Sequence, residues 1–200
     1  MLVAGQTAGI TTVSELIASA KAKPPGLRFA STGIGTGTHV GLEKLNLAAG
    51  ITAVHVPPGP GDAIADVIAN TVAGRTTYMM APIFLALGDI RAGRLRALGV
   101  TTKRRSSLLP EVPTITEAGV PGFDYAIWYG VWVAARTPPG LVDKLAQDIA
   151  LALDAPDLRE LLAKDGADPL SMTQPEFERF VVSESQSAAR IIKAAGIKPQ

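Results

Sequence analysis

The chain has 200 residues, 47% of them hydrophobic, which is enough to build a real core and excludes a disordered protein. Its 19 basic and 18 acidic residues give a net charge of +1, so no general field attracts it to nucleic acid or to an anionic membrane. It has no cysteine, which excludes disulfides, thiolate catalysis and zinc–thiolate sites.

Helical and strand patterns alternate along the first half of the chain. The capping box Thr12-Val13-Ser14-Glu15 predicts a helix that reaches about Lys23. Apolar spacing predicts further helices at 38–50, 62–74 and 83–93, and strands at 27–30, 53–56, 76–80 and 95–100. Strands that alternate with helices indicate an α/β fold with right-handed crossovers and a mostly parallel, covered sheet.

The second half of the chain has a different pattern. Residues 102–124 contain three prolines and one short helical piece at 114–119. Residues 125–135, YAIWYGVWVAA, predict a long apolar strand rich in aromatic side chains. Only helices are predicted after it, at 138–154, 157–164 and 175–195. A block of helices alone cannot form an α/β layer, so we expect their apolar faces to need another cover.

A glycine- and hydroxyl-rich turn, STGIGTGT, separates the first of these strands from the helix that follows it. Gly33, Gly35 and Gly37 allow positive φ and close approach of the backbone. A helix N-terminus presents unpaired amides and a partial positive charge, so the turn predicts an anion site. Ordinary turn glycines before a helix capped by Thr38 are the alternative, and the loop sequence leaves both interpretations open.

Nucleotide and metal sites fit the sequence less well. A Rossmann fingerprint would require glycine at position 38, which is threonine, and a P-loop would require Lys-Ser/Thr after the turn. The two histidines lack the i, i+4 spacing of a helical metal pair, so we expect neither a metal nor a cofactor. His39 lies where it could contact a ligand or sit on the helix surface, whereas His55 lies in a strand and is predicted to pack.

Small residues follow three strands of the predicted sheet, at 31–38, 57–62 and 80–83. Ligands of open α/β sheets collect beyond the carboxyl ends of the strands. Small side chains there leave room for a small molecule and expose backbone donors. No nucleophile, base and orienting group occur together in the pattern, and no Gly-x-Ser-x-Gly elbow is present, which disfavours an enzyme.

Three extended motifs carry a family resemblance: FASTGIGTGTHVGLEKL, IRAGRLRALGVT and LPEVPTITEAGVPGFDYAIWYGVWVAARTPPGLVDKL. Nearly the whole chain resembles the substrate-binding proteins of tripartite tricarboxylate transporters, also called Bug-type periplasmic receptors. The resemblance implies a type II periplasmic-binding-protein fold of two α/β lobes that closes on a small carboxylate. It also implies delivery of that ligand to membrane transporter subunits, without catalysis.

The resemblance implies a set of ligand-binding residues. The carboxylate would be held by Ser31, Thr32, Gly33, Gly35, Thr36 and His39, and the cleft would be lined by Pro57, Pro58, Ala81 and Trp128. Trp128 would lie on a strand that returns between the lobes. Many relatives carry an aspartate where this chain has Ala81, so the resemblance implies a ligand without an amine.

The resemblance further implies an incomplete first lobe. Residues 4–124 would form the complete second lobe, and residues 125–200 the cross-over strand and the C-terminal helices of the first lobe. Met1-Leu2-Val3 would be the end of the outgoing cross-over strand. Helices without their sheet predict self-association, rearrangement or a shortened piece of a longer chain.

The family is periplasmic, whereas the start of this chain lacks the pattern of a signal peptide, so we expect a cytoplasmic location if it is expressed as given. Two other hypotheses stay open beside the carboxylate receptor. One is a truncated remnant that binds no ligand or serves as an interaction module. The other is an α/β enzyme that acts on an organic acid.

Overall fold

The computed structural model describes residues 1–22, 24 and 26–198, so the predicted helix end at Lys23 lies outside the described residues. The chain divides into two compact units. The first comprises Met1–Ile127 together with the stretch that begins at Ala188, and the second comprises Trp128–Ser187. The first unit contains the predicted anion loop.

Residues 1–127 of the first unit contain five strands and four α-helices, each close to its predicted position apart from the first strand. The strands are β1 (Leu2–Gly5), β2 (Arg28–Ala30), β3 (Val54–Val56), β4 (Tyr78–Met80) and β5 (Leu95–Gly99). The helices are α1 (Val13–Ala22), α2 (Gly37–Ala49), α3 (Ala63–Val72) and α4 (Ile83–Arg91), with a 3-10 turn at Gln6–Ala8. Capping fixes several of these ends: Glu15 donates its amide to the hydroxyl of Thr12, and Gly50 ends α2 with a φ of 61°.

The five strands form one mixed sheet in the order β3-β2-β4-β1-β5. Strand β2 pairs in parallel with β3 and β4, whereas β1 pairs antiparallel with both β4 and β5. Four strands therefore point the same way, as predicted, and β1 runs against them inside the sheet. The loops that follow β2, β3 and β4 consequently lie at the same edge.

The core lies on both sides of this sheet because side chains alternate along each strand. In β1, Leu2 and Ala4 join one buried cluster with Leu16 and Leu42 of the helices, whereas Val3 joins a second cluster with Val67 of α3. Complete burial of one such leucine or valine side chain stabilises the fold by about 1.5–3 kcal/mol. Strand β1 is thus anchored from both faces.

Two predictions for the second half of the chain are wrong. Residues 125–135 form no strand, although Tyr125 donates its amide to the carbonyl of Thr101 at 2.7 Å. A strand needs a neighbour along its whole length, and the described part of the chain supplies none there. The helical piece predicted at 114–119 forms turns, because Thr114 is engaged in a bridge with Val100.

Helices α5 (Pro139–Asp154), α6 (Pro156–Lys164) and α7 (Gln174–Ala195) follow, and none of their described residues is buried. Leu151, Leu161 and Val182 remain 72%, 57% and 55% exposed. No helix among the described residues is both long enough and apolar enough to cross a membrane.

Candidate functional site

The loop between β2 and α2 ends in a helix that begins at Gly37. Thr36 is its N-cap, with an extended backbone (φ −68°, ψ 163°), so the interpretation with Thr38 as N-cap is wrong. Gly33 and Gly35 have φ values of 141° and 77°, which side-chain-bearing residues rarely adopt. Gly37 is helical and does not use this freedom.

Four loop amides are already hydrogen-bonded inside the loop, mostly to side chains. The bonds run from Thr32 N to Thr38 Oγ1 (3.0 Å), Gly33 N to Ser31 Oγ (3.2 Å), Gly35 N to His39 Nδ1 (3.0 Å) and Thr36 N to Gly33 O (3.3 Å). These amides hold the loop in shape and are not free donors for a ligand.

The free donors lie at the start of α2 instead. Within the described residues, no acceptor is found for the amides of Ile34, Gly37, Thr38 and His39. The last three belong to the first helical turn, which has no preceding turn to accept them, and the helix dipole adds positive potential there. Gly37 and Ile34 are exposed to solvent, so an anion has access to this end. The sequence analysis did not select Gly37 as a candidate amide donor. Thr36 is a residue type that often caps helices, and this signal could have placed Gly37 at the first helical position.

Three threonine hydroxyls brace the loop beside these donors. The Oγ1 atoms of Thr32, Thr36 and Thr38 lie 2.9–3.3 Å from one another, and Thr36 Oγ1 donates to the carbonyl of Gly33 at 2.7 Å. None of these groups is charged, so an anion held here would bind through dipoles alone. The arrangement suits moderate affinity and rapid exchange.

The two histidines lie beneath the loop as a stacked pair. Their ring centroids are 3.9 Å apart with an interplanar angle of 14°, and His39 is 4% exposed. The alternative of a surface position for His39 is therefore wrong, and the predicted packing of His55 is confirmed. Burial lowers the pKa of His39, and burial with the neighbouring His39 lowers the pKa of His55 to about 4, so both are neutral at pH 7.

Ser31 and His55 form a pair that resembles a nucleophile and its base, with 2.7 Å between Oγ and Nε2. Ser31 is completely buried, and its hydroxyl also bonds both the amide and the carbonyl of Gly33. The lowered pKa of His55 makes it a weak base at neutral pH. The pair therefore fixes the loop to β3 and presents no nucleophile to a substrate. Among the described residues, no group of three or more His, Cys, Asp or Glu could hold a metal ion.

The other predicted site residues occupy different environments. Pro57 is exposed and Pro58 half-buried directly after β3, and Ala81 is buried directly after β4. All three follow strands that end at the edge that bears the loop. Trp128 belongs to the second unit, where it packs on Trp132, Phe177 and Phe180 with ring centroids 5.1–6.1 Å apart. Their contact with a ligand stays a prediction.

Tyr125 lies against the first turns of α2, a position that the sequence did not reveal. Its hydroxyl donates to the carbonyl of Gly37 at 2.6 Å, and a Cβ at Gly41 would overlap its ring. Lys44 donates to the carbonyl of Asp124 at 2.5 Å and lies 5.7 Å from the centre of the Tyr125 ring. The tyrosine is thus held beside the free amides of the helix.

Proteins with an α/β sheet often bind anions at a helix N-terminus that lies at the carboxyl edge of the sheet, and α2 begins at such a place. The family described as the tripartite tricarboxylate transporter family receptor matches residues 1–197. The chain belongs to this family, and both the predicted resemblance and the type II periplasmic-binding-protein fold are confirmed.

Solved structures of similar proteins include ligand-bound examples. A protein of R. palustris with adipate superposes with a TM-score of 0.89 at 28% sequence identity over 100% of this chain, and the periplasmic binding protein BugD superposes with a TM-score of 0.84 at 25% identity over 100%. MatC from Rhodopseudomonas palustris with bound malate has a TM-score of 0.74 at 28% identity over 98% of this chain.

The chain is shorter than these relatives. It covers 66% of the adipate-bound protein, 66% of BugD and 64% of MatC. It also covers 45% of a curated relative from Pseudomonas sp., the UPF0065 protein in the tcbD-tcbE intergenic region, to which it is 40% identical over 156 residues.

Proposed function

We propose that the chain is the ligand-holding part of an extracytoplasmic receptor that captures a small carboxylate for a tripartite tricarboxylate transporter. The observation that carries the proposal is the start of α2, where the amides of Gly37, Thr38 and His39 have no acceptor among the described residues and Gly37 is exposed to solvent. Adipate and malate in similar structures support a carboxylate as the ligand. The periplasmic character of BugD supports a location outside the cytoplasm.

The same geometry favours binding over catalysis. Uncharged donors at a helix start stabilise an anion in its ground state, but acyl or proton transfer also needs a reachable nucleophile or base. Ser31 is completely buried and the lowered pKa of His55 makes it a weak base, so this pair is poorly suited to attack a ligand. We propose release of the ligand unchanged.

The proposal is tested by thermal-shift and calorimetric titration with adipate, and with adipamide as a matched ligand of equal length without charge. Adipate at 100 times its dissociation constant is expected to raise the free energy of unfolding by about 2.7 kcal/mol, and adipamide to leave it unchanged. Equal shifts with both compounds would refute recognition of the carboxylate. No shift with any mono-, di- or tricarboxylate would instead support a remnant that binds no ligand.

Malate and aspartate form a second matched pair, because they differ in a hydroxyl against an amine. Ala81 offers no carboxylate to an ammonium group, so malate is expected to bind more tightly than aspartate in the same titration. Tighter binding of aspartate would place a partner for the amine elsewhere in the site.

We also propose that the chain self-associates through α5–α7. The proposal is supported by the apolar side chains that these helices leave uncovered, of which Leu151 at 72% is the most exposed. A two-fold pairing of identical faces would cover both copies at once. Light scattering after size exclusion is expected to give a mass above the 20.7 kDa of one chain, and Leu151→Gln to lower it. A compact monomer at micromolar concentration would contradict this.

A further inference from the structure

His39 reaches the anion loop from below, with its side chain directed away from solvent. Its Nδ1 accepts the amide proton of Gly35 at 3.0 Å, and its ring is 4% exposed. Gly35 has a φ of 77° and directly precedes the N-cap Thr36, so its position sets the path of the chain into α2. Carboxylate binding through the helix start leaves this contact without an assigned role.

The contact requires one protonation state. A nitrogen that accepts a hydrogen bond carries no proton, so the neutral ring must hold its proton on Nε2. Protonation of Nδ1 would set two N–H groups against each other, His39 Nδ1–H and the amide of Gly35. The two groups would repel, and the loop would have to move.

Among the described residues, three titratable groups near His39 could affect its protonation state. His55 of β3 stacks on one face at 3.9 Å, Glu43 of α2 lies 3.8 Å from Nε2, and Tyr78 of β4 reaches Glu43 through Asn46. Burial raises the pKa of Glu43, and its carboxylate is the nearest counter-ion for an imidazolium. The stacked rings cannot both carry charge without strong repulsion, so one proton at most enters the pair near neutrality.

We propose that neutral His39 is a positioning residue: its Nδ1 holds Gly35 and thereby orders the loop at the start of α2, and protonation of the ring releases the loop and weakens carboxylate binding. The loop-holding part stands on the geometry alone, and the binding part rests on the proposed function. Burial lowers the pKa of His39 from its ordinary value, so the loop is held at pH 7 and is released only as the pH falls through that lowered pKa.

Two substitutions of His39 distinguish the effect of its hydrogen-bond acceptor, Nδ1, from the effect of its aromatic ring. His39→Phe keeps an aromatic ring on His55 and Phe29 but removes the acceptor, whereas His39→Asn places an amide oxygen near the position of Nδ1. We expect His39→Phe to weaken adipate binding about tenfold, as for loss of one ordering hydrogen bond, and His39→Asn to restore most of that loss. The affinity ratio of wild type to His39→Asn is expected to fall as the pH is lowered from 7.5 through the pKa of His39, because only the wild type loses its acceptor on protonation. Protonation of the ligand affects both proteins alike and cancels in the ratio.

A readout without ligand distinguishes the two proposals. The amide of Gly35 in ¹⁵N-labelled protein is expected to be protected from exchange, relative to its intrinsic rate at the same pH, in wild type and in His39→Asn at pH 7. The protection is expected to be lost in His39→Phe and in acidified wild type. Slow exchange in His39→Phe would overturn the loop-holding role. Binding of adipate that strengthens on acidification, relative to His39→Asn, would overturn it as well, because it would mean that a cationic His39 contacts the ligand. If the Gly35 amide shows the expected protection in wild type and its expected loss in His39→Phe, but wild type does not bind adipate, the proposed function is refuted and the loop-holding role remains.

Discussion

Replacement of Gly37 by proline is expected to weaken carboxylate binding about 10- to 150-fold without unfolding α2. Proline lacks the N–H that we propose Gly37 donates to the ligand, and a hydrogen bond to a charged group contributes about 1.5–3 kcal/mol. Gly37 is the first helical residue, where proline is well tolerated. The extended backbone of Thr36, with ψ at 163°, already has the conformation that a residue before proline prefers.

Gly37→Ala is the matched control for this substitution. Its Cβ would meet the Ile127 side chain at 3.5 Å and the Tyr125 hydroxyl at 3.6 Å, which are ordinary contacts, and its amide is retained. Calorimetric titration with adipate should therefore separate the two variants, while far-UV circular dichroism should not. Equal affinity of Gly37→Pro and Gly37→Ala would show that the amide of Gly37 is not a ligand donor.

Gly41→Ala is expected to destabilise the protein by about 1–3 kcal/mol, because the added methyl group would overpack a closed interface. Its Cβ would overlap the ring of Tyr125 and lie 2.7 Å from the sulfur of Met80. Tyr125 is tied to Gly37 and cannot withdraw without breaking that hydrogen bond. Urea unfolding measures the effect directly.

Gly88→Ala, in α4, is the control, for which we expect a change in the free energy of unfolding of the opposite sign. Nothing lies within 4 Å of the Cβ that it would add, so the higher helix propensity of alanine is expected to stabilise the protein by about 0.5–1 kcal/mol. The same chemical change should thus lower the urea midpoint at one glycine and raise it at the other. Two shifts of equal sign would show that the contact with Tyr125 does not limit the packing of α2.

Local patterns in the sequence predicted the elements whose signals are themselves local. The apolar spacing and terminal Gly50 placed α2, and the threonine–glutamate capping box placed the start of α1. The prediction of a strand at residues 125–135 is wrong because it rests on apolar, aromatic composition. Composition indicates side chains that suit a strand, but it does not show that a neighbouring strand is available for hydrogen bonding. The resemblance predicts a cross-over strand at Met1-Leu2-Val3, which stays a prediction, whereas the pairing of β1 with β4 and β5 depends on residues far along the chain.

The location of the candidate site was more predictable than its hydrogen bonding. Glycines and hydroxyls between a strand and a helix indicate an anion loop because such residues rarely gather for packing. Which amides remain free is decided by side chains that fold back on the loop, among them Ser31 and His39. The role of Tyr125 depends on a glycine one helical turn beyond Gly37, and such a contact between distant segments has no local signature.

The antiparallel strand inside the sheet has a consequence for how the molecule forms. Strand β1 is synthesised before either of its neighbours, β4 and β5, and waits for both. Contacts between segments so far apart in the sequence form slowly, because ordering the long intervening loop costs conformational entropy before the strand pairing contributes favourable free energy. The ribosome therefore releases much of this unit before β1 finds its partners, and an exposed Leu-Val-Ala edge persists during that interval.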